Sequence, residues 1–223
     1  MIQLKLRFFT FSFFVLFLTT LSNAQSSVGI HLGLSNYLGD IVPSSITLDN
    51  AQLSFGAFYR YHASEKFALR ANVMLGQLKG DDNDYDERKN RGYSFETGYT
   101  QLSLLGEYHF NGKPRYDEDG VFQKNTTFYL LAGIGGTIVN PETSGLPMNA
   151  PELAEDYSTF AFTIPVGLGV QFPLSEQLLF GAEIGAGLVF SDYLDGISES
   201  ANPDQNDNMG HFELNLAYYF GGK

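Results

Sequence analysis

Five ionisable residues lie within segments that otherwise alternate between apolar and small or polar residues. Each of the five occupies the parity opposite to the apolar residues, so on an extended strand it points away from the apolar face. Arginine and glutamate gathered on one shielded face form ion pairs, because a buried charge without a partner is strongly destabilising. We therefore predict an internal charge network. Its members are Arg60, Arg70, Glu107, Glu183 and Glu213.

Histidine offers a second kind of chemistry on the same face. By strand parity His31, His62 and His109 point the same way as Glu107, which would allow a site with imidazole and carboxylate ligands. Their separation along the chain matches no known metal motif, and histidines on such a face commonly serve as hydrogen-bonded filling. The sequence therefore predicts no cofactor and no catalytic residue.

Two similar stretches offer a set of carboxylates at one rim of the protein. SNYLGDI at 35–41 and SDYLDGI at 191–197 each follow an alternating segment. Carboxylates are hard oxygen ligands of the kind that Ca²⁺ prefers. Asn, Gly and Asp are also ordinary turn residues, which is the competing interpretation. The candidate metal ligands are Asp40, Asp192, Asp195 and Asp207.

Eight alternating segments must position these groups. They span roughly 28–38, 52–62, 67–78, 95–110, 127–139, 159–172, 178–190 and 211–220. Their second face is rich in glycine, whereas a soluble β-sandwich would carry more Lys, Glu and Thr there. In lipid, only helices and closed barrels satisfy their own backbone hydrogen bonds. We therefore predict an all-β fold, an eight-stranded antiparallel transmembrane β-barrel with up-and-down topology. Pro165, inside the sixth segment, predicts a local bulge.

Residues 1–24 have the features of a cleaved signal peptide. Lys5 and Arg7 precede an apolar stretch shorter than the roughly 20 residues of a membrane-spanning helix, and small residues end at Ala24. We expect residues 25–223 to form a single barrel in the outer membrane of a Gram-negative cell, in contact with its lipid. The formal net charge of −12 argues against a nucleic-acid partner.

The connections predict the orientation of the barrel. Short turns lie near 63–66 and 173–177, and long polar segments alternate with them, so both termini should be periplasmic. Eight strands leave a lumen that side chains fill, which argues against a diffusion pore. We also expect no small-molecule substrate. One connection on the short-turn side, the insertion at 111–126, is longer than a hairpin needs. We predict that it docks a partner. The candidate docking residues are Lys113, Arg115, Tyr116, Phe122 and Lys124.

Three short motifs resemble a known family. They are GLSNYLGD at 33–40, DYLDGIS at 192–198 and Asn206-Asp207. On these motifs, and on its layout of eight strands without an appended domain, the chain resembles the outer-membrane barrels of the type IX secretion system, called PorG, and their relatives. The resemblance implies an accessory barrel that ties a periplasmic ring of lipoprotein and partner subunits to the outer membrane during protein export and gliding. It implies no enzymatic activity.

The function predicted from the sequence is therefore a non-enzymatic scaffold of that machinery. The first alternative is a stand-alone structural or adhesive barrel that works through its outside loops. The second is a lipid-modifying enzyme, in which His211 would pair with Ser191 or Ser198 through loop placement.

Overall fold

The computed structural model describes most of the chain after the predicted signal peptide. The described residues are 25–38, 50–84, 92–146, 150, 158–191, 193–197 and 207–220. The strands are β1 (Ser26–Leu38), β2 (Gln52–His62), β3 (Phe67–Asp81), β4 (Ser94–His109), β5 (Thr127–Ser144), β6 (Phe160–Pro173), β7 (Leu178–Phe190) and β8 (Asn208–Phe220). One 3₁₀ turn, Asp82–Asp84, follows β3. The predicted signal peptide lies outside the described residues, as do Asp40, Asp192 and Ser198.

The eight strands form a closed antiparallel barrel in chain order, and β1 pairs with β8 to close it. The predicted fold is confirmed. β3 and β5 extend further than the alternation indicates. The pairing of β3 with β4 continues to Asp81, and that of β5 with β4 continues to Ser144, both opposite Ser94. These extensions are polar, as strand ends that project beyond the apolar band should be.

The outer surface of the barrel is apolar. Ile30, Leu53 and Leu69 are each more than 60% exposed, and many large apolar side chains of the other strands are exposed in the same way. A water-soluble monomer rarely exposes a continuous apolar surface of this extent. This exterior is suited to contact with membrane lipid. Among the residues that the structure describes, no helix has the length and hydrophobicity needed to cross a membrane.

The two ends of the barrel differ. At the end where β1 begins and β8 ends, which we call the terminal end, the turns at 63–66 and 174–177 are short and the insertion joins β4 to β5. The opposite end carries the long connections. Whether the terminal end is periplasmic stays a prediction.

Pro165 interrupts a ladder without shifting its register. Ala132 pairs with Val166 and Gly135 pairs with Thr163, so each strand has the same number of residues between these pairs. The predicted bulge is therefore wrong. Proline has no N–H to donate, and the result is a local gap in the β5–β6 pairing while the register with β7 continues through Pro165.

Candidate functional site

Four of the five predicted network residues meet inside the barrel near the terminal end. Arg60 Nε lies 2.8 Å from Glu107 Oε2, and Arg70 Nη1 lies 2.7 Å from Glu183 Oε1. All four side chains are at most 2% exposed. Two cations are thus neutralised by two carboxylates that come from other strands. At such burial each charge requires its partner.

Polar and aromatic neighbours complete this arrangement. Glu183 also accepts hydrogen bonds from the Tyr129 hydroxyl at 2.7 Å and from Asn215 Nδ2 at 2.9 Å. The Phe58 ring lies 4.9 Å from Arg60 Cζ and 4.4 Å from Arg70 Cζ. These contacts orient the charged side chains and offset part of the cost of burying them. Arg60 Nη2 and Arg70 Nε have no acceptor among the described residues.

Glu213 belongs to a different pair. Its Oε2 lies 3.2 Å from His31 Nδ1, and both side chains are at most 1% exposed. The predicted five-residue network is therefore a four-residue cluster beside a separate His31–Glu213 pair. Parity identified the face that these residues share but not their positions around the barrel.

Inward glycines make room for the large lumen side chains. A Cβ at Gly169 would lie 2.2 Å from Tyr129 Cζ, and one at Gly56 would lie 2.5 Å from His31 Nε2. The rings therefore lie over glycine on a neighbouring strand. The glycine-rich face does not by itself predict the role of Tyr129. The signal for it is that Tyr129 is the one aromatic residue at the inward parity of β5, where glycine and threonine are common.

The three histidines that parity places on the inner face are divided between different contacts. His109 Nε2 lies 3.1 Å from Glu107 Oε2, and its ring centroid lies 6.1 Å from that of His62, whereas His31 pairs with Glu213. Within the described ranges, no group of three His, Cys, Asp or Glu side chains is arranged to hold a metal ion.

Apolar side chains close the opposite end of the barrel. Leu194 and Ile197, from the loop after β7, are fully buried in a cluster with Leu78 of β3 and Phe95 of β4. The Leu194 carbonyl accepts a hydrogen bond from Thr97 Oγ1 at 2.7 Å. The DYLDGIS motif therefore supplies an apolar seal over the lumen.

Tyr37 connects the three motifs at this seal. Its hydroxyl lies 2.6 Å from Asp195 Oδ2 and 2.5 Å from Asp207 Oδ1. The other oxygens of these carboxylates accept the backbone N–H of Ile197 at 2.8 Å and of Leu194 at 2.9 Å. Of the predicted rim ligands, these two buried carboxylates hold the loop, while Asp40 and Asp192 lie outside the described residues. Calcium binding there stays the untested alternative to the turn-forming interpretation.

His211 and Ser191, which the lipid-modifying alternative would use, lie close to the same end. A Cβ added at Gly185 would lie 2.4 Å from His211 Nε2, so the His211 ring lies against β7. Ser191 Oγ accepts a hydrogen bond from the Tyr193 amide at 3.2 Å. Ser198 lies outside the described residues.

The insertion at the terminal end contains a small hairpin. Tyr116 and Phe122 form an isolated antiparallel bridge, and Asp117 Oδ1 accepts the amides of Asp119 at 3.1 Å and Val121 at 2.8 Å. Gly120 has a φ of 76°, a conformation that glycine adopts without strain. The insertion is thus an ordered excursion of the chain.

This hairpin folds back across the mouth of the barrel. Arg115 Cζ lies 3.9 Å from the ring centroid of Tyr219 in β8, and Arg115 Nη2 donates to the Glu176 carbonyl at 2.6 Å. On another side of the mouth, the backbone of Gly112 packs closely against the Glu65 carbonyl group. A Cβ atom added at Gly112 would lie only 2.0 Å from the Glu65 carbonyl oxygen. The insertion therefore contacts the turns that join β2 to β3 and β6 to β7.

The predicted docking residues divide into two groups. Arg115, Tyr116 and Phe122 are half-buried within the insertion and against the mouth, whereas Lys113 and Lys124 are exposed. Covering the mouth gives the insertion a structural reason for its length, so length alone does not argue for a partner. Beneath it lies a polar cavity of about 250 Å³.

Comparisons with known proteins agree with the barrel fold. The family model described as "Domain of unknown function (DUF6089)" matches residues 6–223. No curated protein matches the chain in sequence. Among solved structures, the chain is similar to a major outer membrane protein from Thermus thermophilus, with 14% identity, a TM-score of 0.50, and coverage of 87% of this chain and 99% of that one.

Two further solved barrels have comparable likeness. The attachment invasion locus protein Ail of Yersinia pestis is 15% identical with a TM-score of 0.49, covering 89% of this chain and 99% of that one. Neisserial surface protein A is 14% identical with a TM-score of 0.49, covering 87% of this chain and 97% of that one. At such identities the likeness concerns the fold alone.

Proposed function

The chain belongs to the DUF6089 family, and we propose that it is a non-enzymatic outer-membrane barrel that serves as an accessory scaffold of the type IX protein secretion machinery. In this role an exported chain, freed of residues 1–24, links a periplasmic ring complex to the outer membrane through its terminal end. The motifs at 33–40, 192–198 and 206–207 support the proposal by their resemblance to PorG barrels.

The observation that carries the proposal is the ordered insertion. Asp117 and the Tyr116–Phe122 bridge hold its hairpin in one conformation, so a partner meets a surface that is already organised. Preorganisation lowers the entropy cost of association. Val121 is 58% exposed on this hairpin, and it offers a partner an apolar contact.

We propose no enzymatic activity for this protein, and a lumen filled by paired charges fits that part of the proposal. The four-residue cluster occupies the barrel interior near one end, and Leu194 and Ile197 seal the other end. Such a barrel presents its ends as working surfaces. Among the described residues, the terminal end carries an ordered, exposed excursion, and in this proposal that end faces the ring subunits.

The decisive experiment replaces residues 113–124 with an Asn-Gly turn. We expect a folded barrel, judged by heat-modifiable mobility, that no longer captures ring subunits and no longer supports secretion. A Gly-Ser segment of the original length is the matched control for loop length, and it should fail in the same way. Normal secretion by the folded Asn-Gly variant would contradict the proposed contact. Normal secretion without the whole protein would favour the stand-alone structural or adhesive barrel.

A further inference from the structure

We infer that the cavity beneath the insertion binds a carboxylate group of a polypeptide, with Arg115 as the principal ligand. The choice of a polypeptide as the source of that carboxylate rests on the proposed scaffold function. The cavity itself is defined by the barrel mouth below and by the insertion above.

Arg115 is held in one place but its donors are incompletely used. Its guanidinium lies over the Tyr219 ring at 3.9 Å and near the Phe122 ring at 5.5 Å. Nη2 donates to the Glu176 carbonyl at 2.6 Å, whereas Nε is buried and has no acceptor among the described residues. Nη2 is thus the one guanidinium nitrogen with an acceptor among the described residues, and the remaining donors are left for a ligand or for water. A planar carboxylate is the natural partner of a guanidinium.

The charged groups that line the cavity are mainly cationic. Arg115 and Lys113 both line it, and Glu65 is the one carboxylate among the described lining residues. The carboxylates of Asp117 and Glu176 lie beside it, where they accept hydrogen bonds from Gln123 Nε2 at 2.8 Å and from the Tyr116 hydroxyl at 3.3 Å. Gln123 Nε2 is therefore already used, whereas Asn125 adds an amide group that can donate to a ligand. Arg115 and Lys113 are thus the lining groups that a bound anion would contact.

The volume of the cavity limits the size of the ligand. About 250 Å³ lies below the roughly 300–1,000 Å³ of pockets for drug-sized molecules, and well above the roughly 30 Å³ of one water. One acidic side chain or one chain terminus fits such a space. Both sources present the same carboxylate.

Three peptides can identify the source, using the full-length barrel in lipid nanodiscs. The probes are acetyl-Ala-Glu-Ala-amide, acetyl-Ala-Ala-Ala with a free terminal carboxylate, and acetyl-Ala-Ala-Ala-amide. We expect at least one of the two carboxylate peptides to shift the Arg115 Nε–Hε resonance saturably, and the tighter of the two identifies the source. The neutral peptide should leave the resonance unchanged. No saturable shift, or an equal shift with the neutral peptide, overturns the inference.

A matched pair of lysine variants separates a site from diffuse attraction. Lys113 lines the cavity and Lys124 does not, although both are exposed on the insertion. By calorimetry, Lys113→Gln should weaken peptide binding about threefold or more, and Arg115→Gln about tenfold or more, since hydrogen bonds to charged groups are the stronger kind. Lys124→Gln should stay within about twofold of the parent. Equal losses in the two lysine variants overturn the inference.

Capture of ring subunits distinguishes this inference from the scaffold proposal. If Arg115→Gln and Lys113→Gln retain capture of ring subunits while the Asn-Gly replacement abolishes it, the carboxylate inference is overturned and the scaffold proposal is supported. If the Asn-Gly replacement also retains capture, the proposed scaffold contact is wrong whatever the peptides do.

Discussion

Arg60 and Arg70 face each other directly across the β2–β3 ladder although they carry the same charge. Glu183 and Glu213 face each other in the same way across β7 and β8. Like charges in such positions repel. The barrel compensates across its lumen, since Arg70 reaches Glu183 at 2.7 Å while Arg60 pairs with Glu107 of β4 at 2.8 Å. The arrangement depends on closure, because an open sheet would not bring β3 and β7 together.

The first prediction concerns Glu183. Replacing it by alanine leaves Arg70 buried without its 2.7 Å partner and leaves Tyr129 without an acceptor. We expect the free energy of unfolding to fall by about 3–5 kcal/mol, measured by urea titration in lipid vesicles. Adding Arg70→Met should recover part of that loss.

The control for this prediction is an exposed pair on the same barrel. Glu96 lies 3.9 Å from Lys79, with 74% of its side chain exposed. Glu96→Ala should therefore change the free energy of unfolding by at most about 1 kcal/mol. Equal losses in the two alanine variants would show that the buried cluster has no special energetic role.

The second prediction concerns the glycines beneath the lumen rings. Gly169→Ala would place a Cβ 2.2 Å from Tyr129 Cζ, and the ring would have to move away from Glu183. We expect a loss of about 1–3 kcal/mol in the free energy of unfolding. Gly98→Ala is the matched control, because its Cβ would meet nothing within 4 Å. If Gly169→Ala is as harmless as Gly98→Ala, the ring has room that the structure does not indicate.

Much of the barrel could be predicted from alternation, because the side-chain period of a strand is fixed. The short turn between β2 and β3 also determines that Arg60 pairs with Arg70. The partner across the lumen could not be predicted in the same way. It depends on strand tilt and stagger around the closed barrel, which no single strand encodes. For this reason strand parity places Glu213 with the arginines, whereas in the structure it pairs with His31.

The insertion illustrates a different limit. Its basic and aromatic residues indicated a docking surface, but three of them hold the insertion to itself and to the mouth. Asp119-Gly120 is a local hairpin signal, and it is the part of the insertion's structure that the sequence does indicate. At the opposite end, the motifs that carried the family resemblance meet at Tyr37, a long-range contact that spacing along the chain could not reveal.

The third prediction concerns the seal at the opposite end. Tyr37→Phe removes the hydroxyl that contacts both Asp195 and Asp207, the two carboxylates that accept the Ile197 and Leu194 amides. We expect hydrogen exchange at those two amides to accelerate about tenfold or more, since the loop loses a buried hydrogen bond. The matched control is Tyr218→Phe, at an exposed position, which should leave both exchange rates unchanged. Unchanged exchange in Tyr37→Phe would mean that apolar packing alone holds the loop.

The fourth prediction concerns the base of the insertion. Asn111 Nδ2 donates to the Thr126 carbonyl at 2.7 Å, and Asn111 Oδ1 accepts the Phe128 amide at 2.9 Å, so one side chain ties the two ends of the insertion together. Asn111→Ala removes both hydrogen bonds without altering the barrel, and local opening should become about tenfold more frequent. Trypsin should then cut faster after Arg115 and Lys124, while Pro114 protects the bond after Lys113 and heat-modifiable mobility stays that of a folded barrel.

Asn140→Ala provides the comparison for this last variant, because Asn140 is exposed in β5 towards the opposite end and faces Gly98 across the ladder. Its tryptic cleavage within the insertion should match that of the parent. If Asn111→Ala is cut no faster than Asn140→Ala, then the contacts of Arg115 with Tyr219 and Glu176 hold the insertion by themselves. Adding Arg115→Gln to Asn111→Ala would test that directly, since cleavage after Lys124 should then rise well above that of either single variant.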